Sequence, residues 1–242
     1  MKQPFIWAHR GASGYAPENT LPAFELAADM GADGVELDIH MTKDKQLVVC
    51  HDPILERVSN GRGRVKDFTV EQLKELDFSN GNEAFQGVQI PTLAQVYDLL
   101  RDTGLVVNVE LKNTSPFSGM EKAVVELTRE KGFEDRVIYS SFNYLSLERL
   151  HIINRNARIG FLFLKTTPNL IETLQKFKID ALHIPCSDLL KPGFLDECRK
   201  AGFDLNVWTV NSEDQAKVCR DVEVNAVITD YPDKVRQWIS AI

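Results

Sequence analysis

No apolar run in this chain exceeds six residues, and the longest, Ile159 to Leu164, includes Gly160. A membrane-spanning helix needs about 20 predominantly apolar residues, so stable membrane insertion is not expected. Cysteine is scarce. Cys50, Cys186, Cys198 and Cys219 are the only four, and none has the C-x-x-C spacing of a zinc site or redox motif. The start, from Met1 to Arg10, lacks the apolar core of a signal peptide, so the expectation is reduced thiols in the cytoplasm. Excess positive charge is missing too: the net charge is −7, which argues against nucleic acid or an anionic membrane as the main partner. A small anion in a locally basic pocket remains compatible with that balance. Low-complexity segments and linkers are also absent. The 242 residues, 43% hydrophobic and 26% charged, have the composition of one soluble globular domain.

What is present is an alternation. Short β-branched and apolar runs predict strands over Phe5–His9, Gly34–Ile39, Leu105–Leu111, Val137–Ser141, Arg158–Phe163, Ala181–Ile184, Asp204–Thr209 and Ala226–Thr229. Helical periodicity separates them, over Leu21–Met30, Leu93–Asp102, Gly119–Lys131, Leu145–Asn154, Pro168–Phe177, Pro192–Ala201, Ser212–Arg220 and Pro232–Ile239. In the second of these, Leu93, Val96, Tyr97 and Leu100 share one face. Eight strand–helix repeats imply parallel strands and favour an α/β fold of the (β/α)8 TIM-barrel type, with a doubly wound open sheet as the lesser alternative. One stretch breaks the rhythm. After the second strand, Thr42 to Lys45 and Gln46–Cys50 read as a hairpin return, and residues 52–91 hold only a short helix, Val70–Asp77. The expectation is a single domain over 1–242 with 52–91 as a small inserted cap beside the barrel mouth.

Active sites of such barrels lie at the carboxyl ends of the strands. Those ends carry His9-Arg10-Gly11, Glu36-Leu37-Asp38, His51-Asp52 and Glu110-Leu111-Lys112. Glu36 and Asp38 are two apart on a strand and therefore face the same way. Two carboxylates held so closely need a proton or a cation between them. With Glu110 as a third oxygen donor, and no cysteine or histidine in the set, a hard ion such as Mg²⁺ or Ca²⁺ is favoured over zinc. His9 and His51 supply groups that titrate near neutrality, suited to one acid and one base. Arg10 and Lys112 would hold an anion. Together these groups describe a phosphate-ester hydrolase, although each also has an ordinary alternative as a salt bridge or a structural hydrogen bond.

The ordered set His9-Arg10-Gly11, Pro17-Glu18-Asn19-Thr20, Val35-Glu36-Leu37-Asp38, His51-Asp52, Glu110-Leu111-Lys112, Trp208-Thr209-Val210-Asn211 and Thr229-Asp230-Tyr231-Pro232 resembles the signature of the glycerophosphodiester phosphodiesterase family, in its bacterial cytoplasmic form. The resemblance runs from His9 to Pro232. It implies that Glu36, Asp38 and Glu110 bind one divalent cation, that His9 accepts a proton and His51 donates one, and that Arg10 and Lys112 contact phosphate. The implied reaction releases glycerol 3-phosphate from a glycerophosphodiester through a cyclic phosphate. Glu18 and Asn19 are substrate contacts or loop staples, and Trp208 and Phe142 either pack on the glycerol carbons or belong to the core. His40 shares the Glu36 face without an assigned role, His151 is expected in solvent, and His183, before Pro185, is expected to orient a loop. The rivals are a lysophospholipase D- or sphingomyelinase D-like enzyme on the same barrel and an inactive phosphodiester-binding barrel. Head group, choice of metal and oligomeric state stay open.

Overall fold

The computed structural model describes residues 3–112 and 119–240. Its strands are β1 (Phe5–His9), β2 (Gly34–Met41), β3 (Leu47–Val49), β4 (Val106–Leu111), β5 (Val137–Ser141), β6 (Arg158–Leu162), β7 (Ala181–Pro185), β8 (Asp204–Trp208) and β9 (Ala226–Thr229). The helices are α1 (Leu21–Asp29), α2 (Val70–Lys74), α3 (Leu93–Leu100), α4 (Met120–Lys131), α5 (Tyr144–Ile153), α6 (Leu170–Leu174), α7 (Phe194–Ala201), α8 (Glu213–Asp221) and α9 (Pro232–Ser240). All strands but β3 run parallel, and the sheet closes because β1 pairs with both β9 and β2. The result is an eight-stranded barrel ringed by helices, a (β/α)8 TIM barrel. β3 is the expected hairpin return, antiparallel to β2 through Ile39 and Val49.

Local chemistry explains the element ends. Thr92 and Ser212 open α3 and α8 with capping boxes completed by Gln95 and Gln215. On α3, Leu93, Val96, Tyr97 and Leu100 are all buried, as their spacing predicts. Tyr97 stacks on Phe133 at 4.5 Å, and its hydroxyl meets Thr128 Oγ1 at 2.9 Å. α6 is shorter than the predicted Pro168–Phe177. Asn169 takes a left-handed φ of 61°, so the regular helix begins only at Leu170. The insert's helix stops at Lys74 rather than Asp77, where the chain tightens and the Leu76 N–H donates to the Leu73 carbonyl.

Most of the core lies between the sheet and the helix ring. Residues of the 52–91 stretch gather a smaller apolar cluster of their own, with Leu55, Val58, Val65, Leu73 and Phe78 packed on Val48 and Cys50. Inside the barrel, Trp7, Ile138, Ala226 and Ile228 form a third, small cluster.

The turn after β1 positions the first site residues. Arg10 has φ 56° and Gly11 φ 80°, and a Cβ on Gly11 would lie 2.6 Å from the Ala23 carbonyl carbon. The glycine lets this turn sit on α1 and fold Arg10 back over the strand end. Gly11→Ala is expected to cost about 3 kcal/mol in urea unfolding, from left-handed strain plus overpacking. Gly31→Ala, at φ 71° with open space around it, should lose only about 1 kcal/mol. Equal losses would refute the role given to the Ala23 contact.

Candidate active site

Register brings the chemistry together. Across β1–β2, His9 pairs with Glu36, and across β2–β4, Asp38 pairs with Glu110. Glu36, Asp38 and Glu110 are 5%, 1% and 7% exposed, and one carboxylate oxygen from each lies within 4.8 Å of the other two. Asp38 accepts from Asn19 Nδ2 at 2.9 Å through Oδ2, and Arg10 Nε stands 3.3 Å from the same oxygen. Its other oxygen, Oδ1, receives no hydrogen bond, although Lys112 Nζ stands 3.1 Å away. Lys112 donates to Glu110 Oε1 at 2.7 Å. The Arg10 main-chain N–H donates to Glu36 Oε2 at 3.1 Å.

Three such carboxyls cannot all ionise at ordinary pH without help. Burial, Asp38 and Glu110 push the Glu36 carboxyl well above the usual range. Burial and Asp38 push Glu110 up to about 7. Burial acts in the same direction on Asp38, but Lys112 and Arg10 outweigh it and hold that carboxyl well below its ordinary value. A cluster of buried oxygens, one of which receives no hydrogen bond, with no thiolate or imidazole among them, fits a hard cation, so these three residues could hold a metal ion.

Two imidazoles flank the cluster, and each is backed by a carboxylate. His9 Nδ1 lies 2.6 Å from Asp230 Oδ1, and His51 Nδ1 lies 2.5 Å from Asp52 Oδ1. An ionised carboxylate only accepts, so both Nδ1 atoms donate and Nε2 is the available nitrogen of each ring. Burial lowers the His51 pKa, and Arg10 and Lys112 add to that effect against Asp38. His40 Nε2 donates to the His51 carbonyl at 3.0 Å and so braces that turn.

His9, Arg10, Glu36, His51, Glu110, Lys112, Phe142 and Trp208 line one cavity of about 220 Å³, with Leu162, Leu164 and Ile228 as further apolar wall. Phe142 meets Trp208 edge to face at 5.8 Å. Glu18 is not among the lining residues. Its carboxylate instead takes Arg10 Nη1 at 2.9 Å and two donors of Arg57 at 2.8 Å. Asn19 acts as a loop staple, through its amide on Asp38, whereas the sequence assigns no individual role to Asp230, Asp52 or Arg57. The Thr229-Asp230 and His51-Asp52 strings held the signal for two of them. His183 does not orient a loop: it lies in β7 with its ring inside the barrel, where Gly160 leaves it room. His151 is half-buried rather than solvated, with Nε2 on the Ala157 carbonyl at 3.0 Å.

Comparison with known proteins places the chain in a family. The sequence profile of the glycerophosphoryl diester phosphodiesterase family matches residues 9–234. The chain belongs to that family, a family of hydrolases. It is 38% identical over 230 residues to a glycerophosphodiester phosphodiesterase of Caldanaerobacter subterraneus, covering 94% of each chain. A glycerophosphodiester phosphodiesterase of Bacillus altitudinis is 36% identical over 248 residues, covering 95% of each. Among solved structures, an Oleispira antarctica phosphodiesterase in complex with the product sn-glycerol-3-phosphate superposes with a TM-score of 0.91 at 30% identity, covering 99% of this chain and 98% of that one.

The raised carboxyls would make cation binding at this trio pH-dependent. Glu36 and Glu110 keep protons in the folded protein that the unfolded chain releases near its ordinary value of 4.5. The cation-free protein therefore loses stability as pH rises toward 7, and a bound cation replaces those protons. The thermal shift on adding Mg²⁺ or Ca²⁺ should be several degrees at about pH 8 and at least threefold smaller at about pH 5.5. A shift independent of pH would separate the ion from this trio.

Proposed function

We propose that this chain hydrolyses glycerophosphodiesters to glycerol 3-phosphate and an alcohol, within a single domain spanning 1–242 that carries 52–91 as a small cap. The observation that carries the reading is one cavity lined by two carboxylate-backed imidazoles and two cationic side chains, next to the buried carboxylates. Glu36, Asp38 and Glu110 would hold one divalent cation, Mg²⁺ or Ca²⁺, which when bound offsets negative charge on the phosphoryl oxygens. Arg10 and Lys112 contact those oxygens, Arg10 with its planar fork and Lys112 as a point charge.

His9 takes the proton of the glycerol 2-hydroxyl at Nε2. That oxygen bonds to phosphorus, and the bond from phosphorus to the head-group oxygen breaks as His51 protonates the departing alcohol. Water then bonds to the phosphorus of the cyclic phosphate, giving a proton to His51, and the bond from phosphorus to the 2-oxygen breaks as His9 returns its proton to that oxygen. Trp208 and Phe142 offer an apolar wall to the glycerol carbons. Glu18 bears on substrate through Arg10, which it holds in place. Four cysteines without a disulfide support a cytoplasmic location. No helix among the described residues is long and apolar enough to cross a membrane.

A lysophospholipase D-like reading has one observation in its favour. Leu164 and Phe142, both on the cavity wall, are 74% and 39% exposed and would accept an acyl chain. Turnover of glycerophosphocholine exceeding that of lysophosphatidylcholine supports the first reading, and the reverse order the second.

His51→Ala and His9→Ala should each lower kcat on glycerophosphocholine by about 10²–10⁴-fold. Near-normal turnover in either variant would refute the two-histidine assignment. Asp230→Asn should lower kcat by roughly 10–100-fold with little change in KM, since it orients His9 without touching substrate. A change confined to KM would place Asp230 in substrate binding instead.

A further inference from the structure

Beneath the rim, the lumen carries a polar layer for which the chemistry above has no use. Asn108 on β4, Ser140 on β5, His183 on β7 and Asn206 on β8 are all buried, where barrels of this kind usually stack branched apolar side chains. Three atoms of this layer find no hydrogen-bond partner in the protein: Asn108 Oδ1, Ser140 Oγ and His183 Nδ1. An unsatisfied buried polar atom is destabilising, so a layer with three of them is built to meet a ligand or water.

The hydrogen-bonding senses follow from the neighbours. Asn206 Nδ2 lies 3.3 Å from His183 Nε2, and an amide N–H donates, so Nε2 accepts and the proton of the neutral ring resides on Nδ1. Burial alone, which lowers this pKa to about 3, keeps the ring neutral. A Cβ at Gly160 would stand 2.3 Å from Nε2, so that glycine makes the space the ring occupies. The floor thus offers one N–H donor at His183 and one carbonyl acceptor at Asn108. Both residues line the same cavity as His9, His51 and Lys112. Asn108 lies one inward position below Glu110 on β4 and opposite Glu36 in register. Two residues of strand span about 6.6 Å, a depth suited to a three-carbon polyol hanging from a phosphoryl group at the rim.

A hydroxyl both donates and accepts, and a terminal hydroxyl also closes the end of a short chain. We propose that Asn108 and His183 form a floor subsite that binds the free terminal hydroxyl of the glycerol moiety, making them specificity determinants against diols that lack it and against glycerol acylated there. Leu162, Ile228 and Trp208 face the carbons on the way down. This rests on the glycerophosphodiester reading.

The test compares glycerophosphocholine with the choline phosphodiester of propane-1,2-diol, which keeps the attacking 2-hydroxyl and lacks only the terminal one. The unmodified enzyme should prefer the glycerol diester by about 100-fold in kcat/KM. Asn108→Leu, close in volume, should cut that preference to less than about threefold through loss on the glycerol diester, with Tm equal to or above that of the parent. Equal kcat/KM of the unmodified enzyme on the two diesters overturns the inference and leaves the floor to water. Equal losses on both substrates in Asn108→Leu also overturn it, since Asn108 would then act only by holding Glu110. An unmodified enzyme that turns over neither diester while binding the cation overturns the functional reading, and this inference with it.

Discussion

Like-charge repulsion among Glu36, Asp38 and Glu110 is the constraint around which the rim is arranged. Their oxygens are close enough to share one ion and almost wholly removed from water. The protein leaves Asp38 charged, with Lys112, Arg10 and Asn19 on its two oxygens, and lets Glu36 and Glu110 rise. Removing one partner from a buried ion pair costs about 3–5 kcal/mol, because the remaining charge is left uncompensated. Arg10 and Lys112 therefore do two things at once: they neutralise the trio, and they line the cavity. With a divalent ion held by the carboxylates, both side chains are relieved of the first task and their charge is available to an anion. Under the proposed reading, cation and anion binding would be linked through these two residues.

Much of this was readable because it depends on strand periodicity. A two-residue spacing puts Glu36 and Asp38 on one face whatever the surroundings, and parallel pairing then brings Glu110 beside Asp38. What stayed hidden depends on closure. Asp230 and His9 are 221 residues apart, and they meet only because β9 returns to lie beside β1. Arg57 reaches Glu18 across 39 residues through a stretch with little regular structure, which no periodicity describes. The lumen position of His183 was masked by Pro185, which reads as a strand end. The room for its ring comes from Gly160 on the neighbouring strand. The late start of α6 turned on Asn169, whose left-handed backbone no hydrophobic pattern records.

The supporting contacts show a division between strand and loop. Glu36, Asp38 and Glu110 sit on paired strands, where the ladder fixes their main chain. Arg10, Glu18 and Asn19 sit on the long β1–α1 connection, and each is held by a charged or amide partner. Asn19 uses its amide oxygen and nitrogen on Asp38, accepting from the main-chain N–H and donating to the carboxylate. That loop is thereby tied to the centre of the acidic cluster and cannot drift without exposing an unpaired buried charge.

The two imidazoles share a tautomer and differ in what stands behind them. Asp52 is tied to the Arg57 guanidinium, by Nε at 2.5 Å and Nη2 at 3.1 Å, and the hydrogen bond from Arg57 leads the effects that lower its pKa to about 2. Much of its negative charge is thus already balanced before His51 makes use of it. Asp230 is met instead by neutral donors, Ser13 Oγ at 3.0 Å and Asn211 Nδ2 at 2.6 Å, besides His9 itself. In the proposed reaction its charge would be left to an imidazolium on His9. A carboxylate with unspent charge favours the ring that must take up a proton, and one already spent favours the ring that must release it. The asymmetry between Arg57 on one side and Ser13 with Asn211 on the other is thus a physical ground for assigning base to His9 and acid to His51, independent of where either residue falls in a motif.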